Sequence, residues 1–425
     1  MKTVFLSVVA LFITVPAFSQ SMPDQTTKQE IKVMNDSRGY LLAIDGKPFF
    51  LKGMNWDYFP IGTNYTYSLW EQSENVIQAA LDNEMSLLRK MGVNVIRQYN
   101  TIPPRWIKYI YEVYGIYTMI NHSFGRYGLT INGTWHGNTD YCREDVRKLL
   151  LQEVDDFVNT YHGTPGVLMY LIGNENNYGL FWAGAESEDL PVGENLHDRR
   201  ARCLYELLNE AALRIKAVDT SHPVAICNGD LQFLDVIAQE CKDVDVLGVN
   251  SYRGESFDTL FKEVKEKWGK PVLLTEFGAD AFNAVTKQEA QREQAEILLN
   301  NWQEIYLNAA GMGRCGNCLG GFTFQFSDGW WKYGQTKNLD VHDTHASWTN
   351  GGYKFDLVTG ENNMNEEWFG ICAKGYPNDR GLYRLYPRMA YKALRKVQRI
   401  EPYQSSPSFI EQRFSAIKKQ IRKNK

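Results

Sequence analysis

Eight short apolar runs alternate with stretches of helical periodicity, and this alternation sets the tightest limit on what the chain can fold into. The runs are Phe49 to Lys52, Gly92 to Asn100, Ile116 to Ser123 and Val167 to Glu175, followed by Pro223 to Asp230, Asp245 to Tyr252, Pro271 to Gly278 and Gly320 to Trp331. Helical patterns precede most of them: one through Leu81, Leu87 and Leu88, then Trp106 to Val113, Arg143 to Val158, Arg199 to Val218 and Lys287 to Ala310. A last helix, Pro387 to Val397, closes the series. Short continuous apolar strands between helices read as parallel βαβ units buried on both faces. Eight such units without a linker predict a single (β/α)8 TIM barrel, an α/β fold. A short N-terminal β-hairpin turned by Asp45-Gly46 leads into it, and a long loop, Gly334 to Gly375, follows strand eight. The expected boundaries are a signal peptide over 1–19, a linker over 20–37, the barrel over 38–402 and a basic tail over 403–425 read as a frayed, solvated helix.

The first residues, MKTVFLSVVALFITVPAFSQS, place Lys2 before an apolar stretch, Val4 to Val15, and a small-residue cleavage site at Ala17-Phe18-Ser19. That is the layout of a secretory signal, too short to span a bilayer comfortably. The mature chain is therefore expected to be secreted or periplasmic, with no membrane span. A net charge of −4 over 425 residues gives no reason to expect nucleic acid or an anionic membrane as partner. Seven cysteines leave at least one thiol free if the others pair. Cys315-Gly-Asn-Cys318 has no second ligand pair nearby, so a local disulfide or two buried thiols is the reading, and no metal is expected.

In such a barrel, chemistry sits where strands end and βα loops begin. Strand one delivers Asn55 and Trp56 there, strand two Arg97 and Tyr99, and strand three Asn121 and His122. Strand four delivers Asn174, Glu175 and Asn176, strand five Asn228 and Asp230, and strand six Asn250 and Tyr252. Glu276 ends strand seven, and Gln325, Asp328, Trp330 and Trp331 follow strand eight. Polar groups at one end of every strand predict a pocket. Glu175 and Glu276 would face each other across it. Two carboxyl groups flanking a bond are what glycoside hydrolysis needs, one to protonate the leaving oxygen and one to attack the anomeric carbon or activate water. Arg97 and Tyr252 are placed to hold Glu276 ionised and oriented, beside an acid of raised pKa.

Gly173-Asn174-Glu175 ending strand four, with Thr275-Glu276-Phe277-Gly278 ending strand seven, resembles the clan A retaining glycoside hydrolases. The segment Asp45-Gly46-Lys47-Pro48-Phe49…Lys52-Gly53-Met54-Asn55 and the later Pro387-Arg388-Met389-Ala390-Tyr391 are similar to the opening and the end of the catalytic barrel of glycoside hydrolase family 2. The resemblance spans about residues 40 to 400. It implies Glu175 as acid/base, Glu276 as nucleophile, Asn174 on the sugar 2-hydroxyl, and Arg97 and Tyr252 as supports of the nucleophile. Family 2 enzymes usually carry sandwich domains before the barrel, which help shape exo-acting pockets; this chain is expected to lack them. A bare barrel also resembles the endo-β-glucanases and β-1,3-glucan transferases of the clan.

Asn55, Trp56, His122, Asn177, Trp330 and Trp331 complete the expected substrate-binding set. Trp56, Trp182, Trp330 and Trp331 would either stack on sugar rings or pack under loops, and His122 would either bind a hydroxyl or serve as a satisfied loop residue. His342 and His345 form an HxxH pair near Asp340 and Asp343, but in a Gly/Asn-rich loop without helix signals, read as pocket lining. Gly311 to Gly316 matches GxGxxG but follows a helix and precedes a strand, the reverse of a dinucleotide site. The expectation is a cofactor-free retaining β-glycoside hydrolase acting on a β-linked oligo- or polysaccharide, with Glu175 and Glu276 catalytic. A transglycosylase using the same residues and a non-catalytic carbohydrate-binding barrel are the alternatives.

Overall fold

Eight parallel strands close into a barrel: β1 (Leu51–Asn55), β2 (Val95–Arg97), β3 (Tyr117–His122), β4 (Val167–Ile172), β5 (Val224–Gly229), β6 (Val246–Asn250), β7 (Val272–Phe277) and β8 (Cys318–Thr323). Each pairs with its neighbours in chain order, and β8 pairs with β1 to complete the ring. The computed structural model describes residues 29–99, 101–180, 196–332, 334–345 and 364–423. The expected signal peptide, Trp182 and much of the loop between Gly334 and Gly375 lie outside the described residues.

The strands read as unbroken apolar runs because both faces are covered. In β4 every residue is buried; Val167, Tyr170 and Ile172 pack outward among the helices, while Leu168, Met169 and Leu171 fill the barrel interior. The outer layer is α1 (Glu74–Met91), α2 (Pro104–Tyr114), α3 (Glu144–Tyr161), α4 (Leu196–Val218), α5 (Leu234–Glu240), α6 (Leu260–Lys267), α7 (Gln291–Leu307) and α8 (Met389–Val397). On α1 the residues Ile77, Ala80, Leu81, Met85, Leu88 and Met91 form the inward stripe that a 3.6-residue period demands. The helix stops at Gly92, whose φ of 104° lets its amide reach the Leu88 and Arg89 carbonyls. A disulfide joins Cys142, just ahead of α3, to Cys203 on α4, while Cys315 and Cys318 are both free thiols.

Two boundaries differ from the sequence reading. The expected linker contains a strand, Ile31–Asp36, which pairs antiparallel with Gly39–Ile44, and that strand pairs in turn with Lys47–Phe49 across the Asp45-Gly46 turn. The hairpin is therefore part of a three-stranded sheet. Its Ile31 and Leu42 join Leu51, Val95 and Leu168 in the interior cluster, so the sheet plugs the end of the barrel where the strands begin. The basic tail forms a packed helix, α9 (Pro407–Lys423), with Ile410, Phe414, Ile417 and Ile421 buried. Phe414 meets Tyr306 of α7 at 5.6 Å between ring centres, and Arg422 reaches Glu296 of α7 at 3.0 Å. Apolar burial outweighs the charge on its outer face.

Replacing Phe414, which is fully buried, with alanine is expected to lower stability by about 3 kcal/mol in denaturant unfolding. A loss below about 0.5 kcal/mol, the range of ordinary surface changes, would contradict a packed terminal helix.

Candidate active site

Arg97 is the last residue of β2. Ile96 faces the helices, so strand alternation turns Arg97 into the barrel, where it is wholly buried. A buried guanidinium is tolerable only when its N–H groups are all satisfied. Nη1 donates to Glu276 Oε1 at 2.9 Å and to the Thr275 carbonyl at 3.1 Å. Nε and Nη2 donate to Asn121 Oδ1 at 3.0 and 2.9 Å, and Nη2 also to Asn174 Oδ1 at 2.8 Å. One side chain thus ties together the mouths of β2, β3, β4 and β7.

Glu276, on β7, receives two further donors. The Tyr99 hydroxyl reaches Oε1 at 2.6 Å and the Tyr252 hydroxyl reaches Oε2 at 3.0 Å. Three donors on one carboxyl suit its ionised form. Burial, followed by the charge of Glu276, holds both tyrosines well above the usual phenol range, so they stay neutral donors.

Glu175 stands in a different setting. Gly173, at φ 84°, turns the chain out of β4 and donates its amide to the His122 carbonyl at 2.7 Å. Glu175 itself has φ 57° and ψ 34°, a left-handed conformation that strains a residue with a side chain. Its Oε1 accepts from Asn250 Nδ2 at 3.1 Å. Burial, reinforced by repulsion from Glu276 and opposed by the Asn250 bond, raises its pKa to about 7. One carboxyl is clamped by a cation and two phenols; the other is kept ready to hold a proton.

The amides flanking Glu175 have separate tasks. Asn174 Oδ1 receives both Arg97 and, at 3.1 Å, Asn250, while its Nδ2 donates to the Tyr127 hydroxyl at 3.0 Å. Asn176 accepts the Asn174 backbone N–H at 2.7 Å and donates to the Phe124 carbonyl at 2.8 Å and to the Tyr141 hydroxyl at 2.7 Å, fastening the loop after β3. Asn177 exchanges two bonds with the Gly229 backbone, at 2.9 and 2.8 Å, fastening the end of β5.

The structure therefore brings Glu175, Glu276, Asn174, Arg97 and Tyr252 together and removes others from the expected set. Asn177 is buried in its backbone bonds. Asn55 donates to the Thr275 carbonyl at 3.1 Å and accepts Tyr99 at 3.2 Å, so it lies beneath the pocket as a prop for Tyr99. Trp56 points into the core, its indole N–H on Glu84 at 2.6 Å. His122 alternates with the inward Asn121 and faces α3, 3.5 Å from Glu153 and against Phe157; burial lowers its pKa to about 4. Trp330 stacks on His342 at 4.5 Å, and Trp331 packs edge-on to Phe59 at 5.2 Å and tilted against Tyr65 at 5.7 Å. His342 lies between Trp330 and Trp368 with Nε2 on the Glu367 carbonyl, whereas His345 bonds Asp343, so the two imidazoles of the HxxH pair turn to different partners.

Tyr99, Asn121 and Asn250, expected at the strand ends but left out of the substrate set, touch it, as does Tyr127, which was not singled out. The signal for two of them was spacing: Tyr99 lies two residues past Arg97, and Asn250 two before Tyr252, which puts each pair on one strand face. For Tyr127 no sequence signal exists.

A parallel barrel whose strand ends converge on two carboxyl groups in unlike environments has the layout of a glycoside hydrolase. The sequence profile of "Glycosyl hydrolases family 2, TIM barrel domain" matches residues 37–311, and the chain belongs to that family. Among solved structures it is similar to a β-glucuronidase of Bacteroides uniformis, covalently bound to cyclophellitol-6-carboxylate aziridine, with TM-score 0.56 and 12% identity over 88% of this chain and 37% of that one. A β-D-glucuronidase of Dictyoglomus thermophilum gives 0.51 and 17% over 88% and 54%. A family 2 β-galacturonidase of Eisenbergiella tayi bound to galacturonate gives 0.52 and 16% over 87% and 54%. The chain thus spans about half or less of the length of these proteins, and the likeness is one of fold. No curated protein matches the chain.

The raised Glu175 carboxyl predicts a stability signature. The native state holds this proton more tightly than the unfolded chain, so the stability it confers is complete below about pH 4.5 and is lost as pH rises through about 7. Glu175→Gln should therefore match the parent near pH 4 and exceed it above pH 7, by on the order of 2–3 kcal/mol. A pH-independent difference in thermal unfolding would contradict it.

Proposed function

We propose that the protein is a retaining β-glycosidase working by double displacement on β-linked oligo- or polysaccharides. The observation that carries this reading is the unequal treatment of the two carboxyls: Glu276 receives Arg97, Tyr99 and Tyr252, while Glu175 is desolvated and raised to about 7. In the first step a Glu276 oxygen attacks the anomeric carbon while Glu175 gives its proton to the departing oxygen. The intermediate is a glycosyl ester of Glu276. Loss of the leaving group opens space for water, and Glu175, now ionised, takes a proton from it as it displaces Glu276. This division of labour requires carboxyls ~5–5.5 Å apart. Arg97, Tyr99 and Tyr252 hold the nucleophile charged in the ground state and release a share of its hydrogen bonding as negative charge leaves its oxygen. Asn174, anchored by Arg97 and Asn250, presents its amide beside Glu175, where the sugar 2-hydroxyl would lie.

Export is part of the same proposal. The N-terminal sequence has a signal layout, and the Cys142–Cys203 disulfide suits an oxidising compartment. Among the described residues no helix is long and apolar enough to cross a membrane.

A 2-deoxy-2-fluoro-β-glycosyl fluoride should label Glu276, located by peptide mass mapping. Glu276→Gln should lower kcat by about 10⁴-fold or more. Labelling elsewhere, or an α-configured first product by NMR, would overturn the retaining assignment; absence of any turnover on β-glycosides would favour a binding protein. Since Glu175 must carry its proton in the first step, kcat/KM should fall as pH rises above about 7, and Glu175→Ala should regain rate with azide, giving a β-glycosyl azide.

A further inference from the structure

Between β3 and α3 the chain inserts a small hairpin, Leu129–Ile131 paired with Thr134–His136. Asn132 and Gly133, at φ 50° and 81°, form the tight turn between the two strands. Leu129 and Ile131 anchor its inner face in the core. On the outer face Trp135, paired across from Thr130, is 61% exposed, and the neighbouring Tyr127 is 41% exposed. An indole this exposed, lying against the Tyr127–Gly128 backbone, is a candidate for a surface that is used.

The indole is held in place. A Cβ built on Gly128 would come within 2.4 Å of its Cζ2 carbon, so the ring edge lies directly over the Gly128 backbone and only glycine leaves room for it. Gly128 follows Tyr127, whose hydroxyl accepts from Asn174, the residue before Glu175. The base of this loop is in turn fastened by Asn176 through Phe124 and Tyr141. Hydrogen bonds therefore lead from Glu276 through Arg97 and Asn174 to Tyr127, and the next residue in the chain, Gly128, lies under the Trp135 indole. Neither the catalytic chemistry nor the core requires Trp135.

We infer that Tyr127 and Trp135 form a stacking subsite for a second pyranose ring of a β-linked glycan, one position away from the ring held between Glu175 and Glu276. Flat, amphipathic aromatic rings fixed at one edge offer what a sugar's C–H face needs, a dehydrated apolar surface with polar groups at the rim. Because the hairpin continues from Tyr127, which bonds Asn174 beside the acid, the platform lengthens the site in one direction and makes an oligosaccharide the preferred substrate over a monoglycoside. This inference rests on the glycosidase reading of the two glutamates.

The test compares two substrates of whichever sugar the enzyme accepts: its β-glycosyl fluoride, whose leaving group has no ring to stack, and its β-linked oligosaccharides of two to six units. In the parent enzyme kcat/KM should rise with chain length. Trp135→Ala should remove roughly tenfold of that rise and leave the fluoride unchanged, and Trp135→Phe should keep most of it. Gly128→Ala, which displaces the indole, should act like Trp135→Ala. Equal loss on fluoride and oligosaccharide, or no loss on either, overturns the subsite. Failure of the glycosidase reading is distinct: Glu276 would then resist the fluoro-sugar label in the parent enzyme itself.

Discussion

The buried guanidinium of Arg97 is the contact on which the site depends. It carries a full positive charge into the barrel mouth, and each of its N–H groups meets an acceptor, on Glu276, the Thr275 carbonyl, Asn121 or Asn174. Such a charge is stable only because its partners come from four strands held in register by the barrel. The dependence runs the other way as well. Without Arg97, Glu276 would keep its two phenols but lose its counter-ion, and a desolvated carboxylate without one is strongly destabilising. Asn174 would also lose the bond that fixes its amide beside Glu175.

From that contact the electrostatics of the pair follow. A charged, clamped Glu276 raises the proton affinity of Glu175, and burial raises it further. Two identical side chains are thus set in unlike surroundings, one clamped by three donors and one desolvated. The strained backbone at Glu175 belongs to the same arrangement. Left-handed geometry at a non-glycine residue persists only where its neighbours over-determine it. Here Gly173, Asn176 and Asn177 do so, bonding to β3, the loop after β3, and the end of β5. The three amides around one glutamate are accordingly one link among Arg97, Asn250 and Tyr127 and two fasteners.

Strand ends were legible in the sequence, but side-chain directions at those ends were legible only in part. Asn121 and His122 are adjacent, and the expected set took the outward one; the inward asparagine holds Arg97. Trp56 was left between stacking on a sugar and packing under a loop, and one residue past Asn55 it turns outward to Glu84. Trp330 and Trp331 lie after β8, where their contacts are with His342, Phe59 and Tyr65. At the chain ends the errors share a cause. Ile31 and Val33 alternate among polar residues, and Ile410, Phe414, Ile417 and Ile421 form a stripe among lysines and arginines. Local charge masked a weak period that tertiary contacts made decisive.

By itself the sequence determined the number and order of the βα units, because continuous apolar strands and amphipathic helices satisfy burial in few other ways. It also determined that Glu175 and Glu276 stand at strand ends, since Gly173-Asn174-Glu175 and Thr275-Glu276 each follow an apolar run. Only the tertiary structure decided which neighbours serve them. Hydrogen-bond partners separated by up to 179 residues, as Arg97 and Glu276 are, depend on barrel closure and strand stagger. Proton affinity depends on desolvation and on charges brought near by folding. Neither quantity exists in a stretch of chain until the barrel has closed around it.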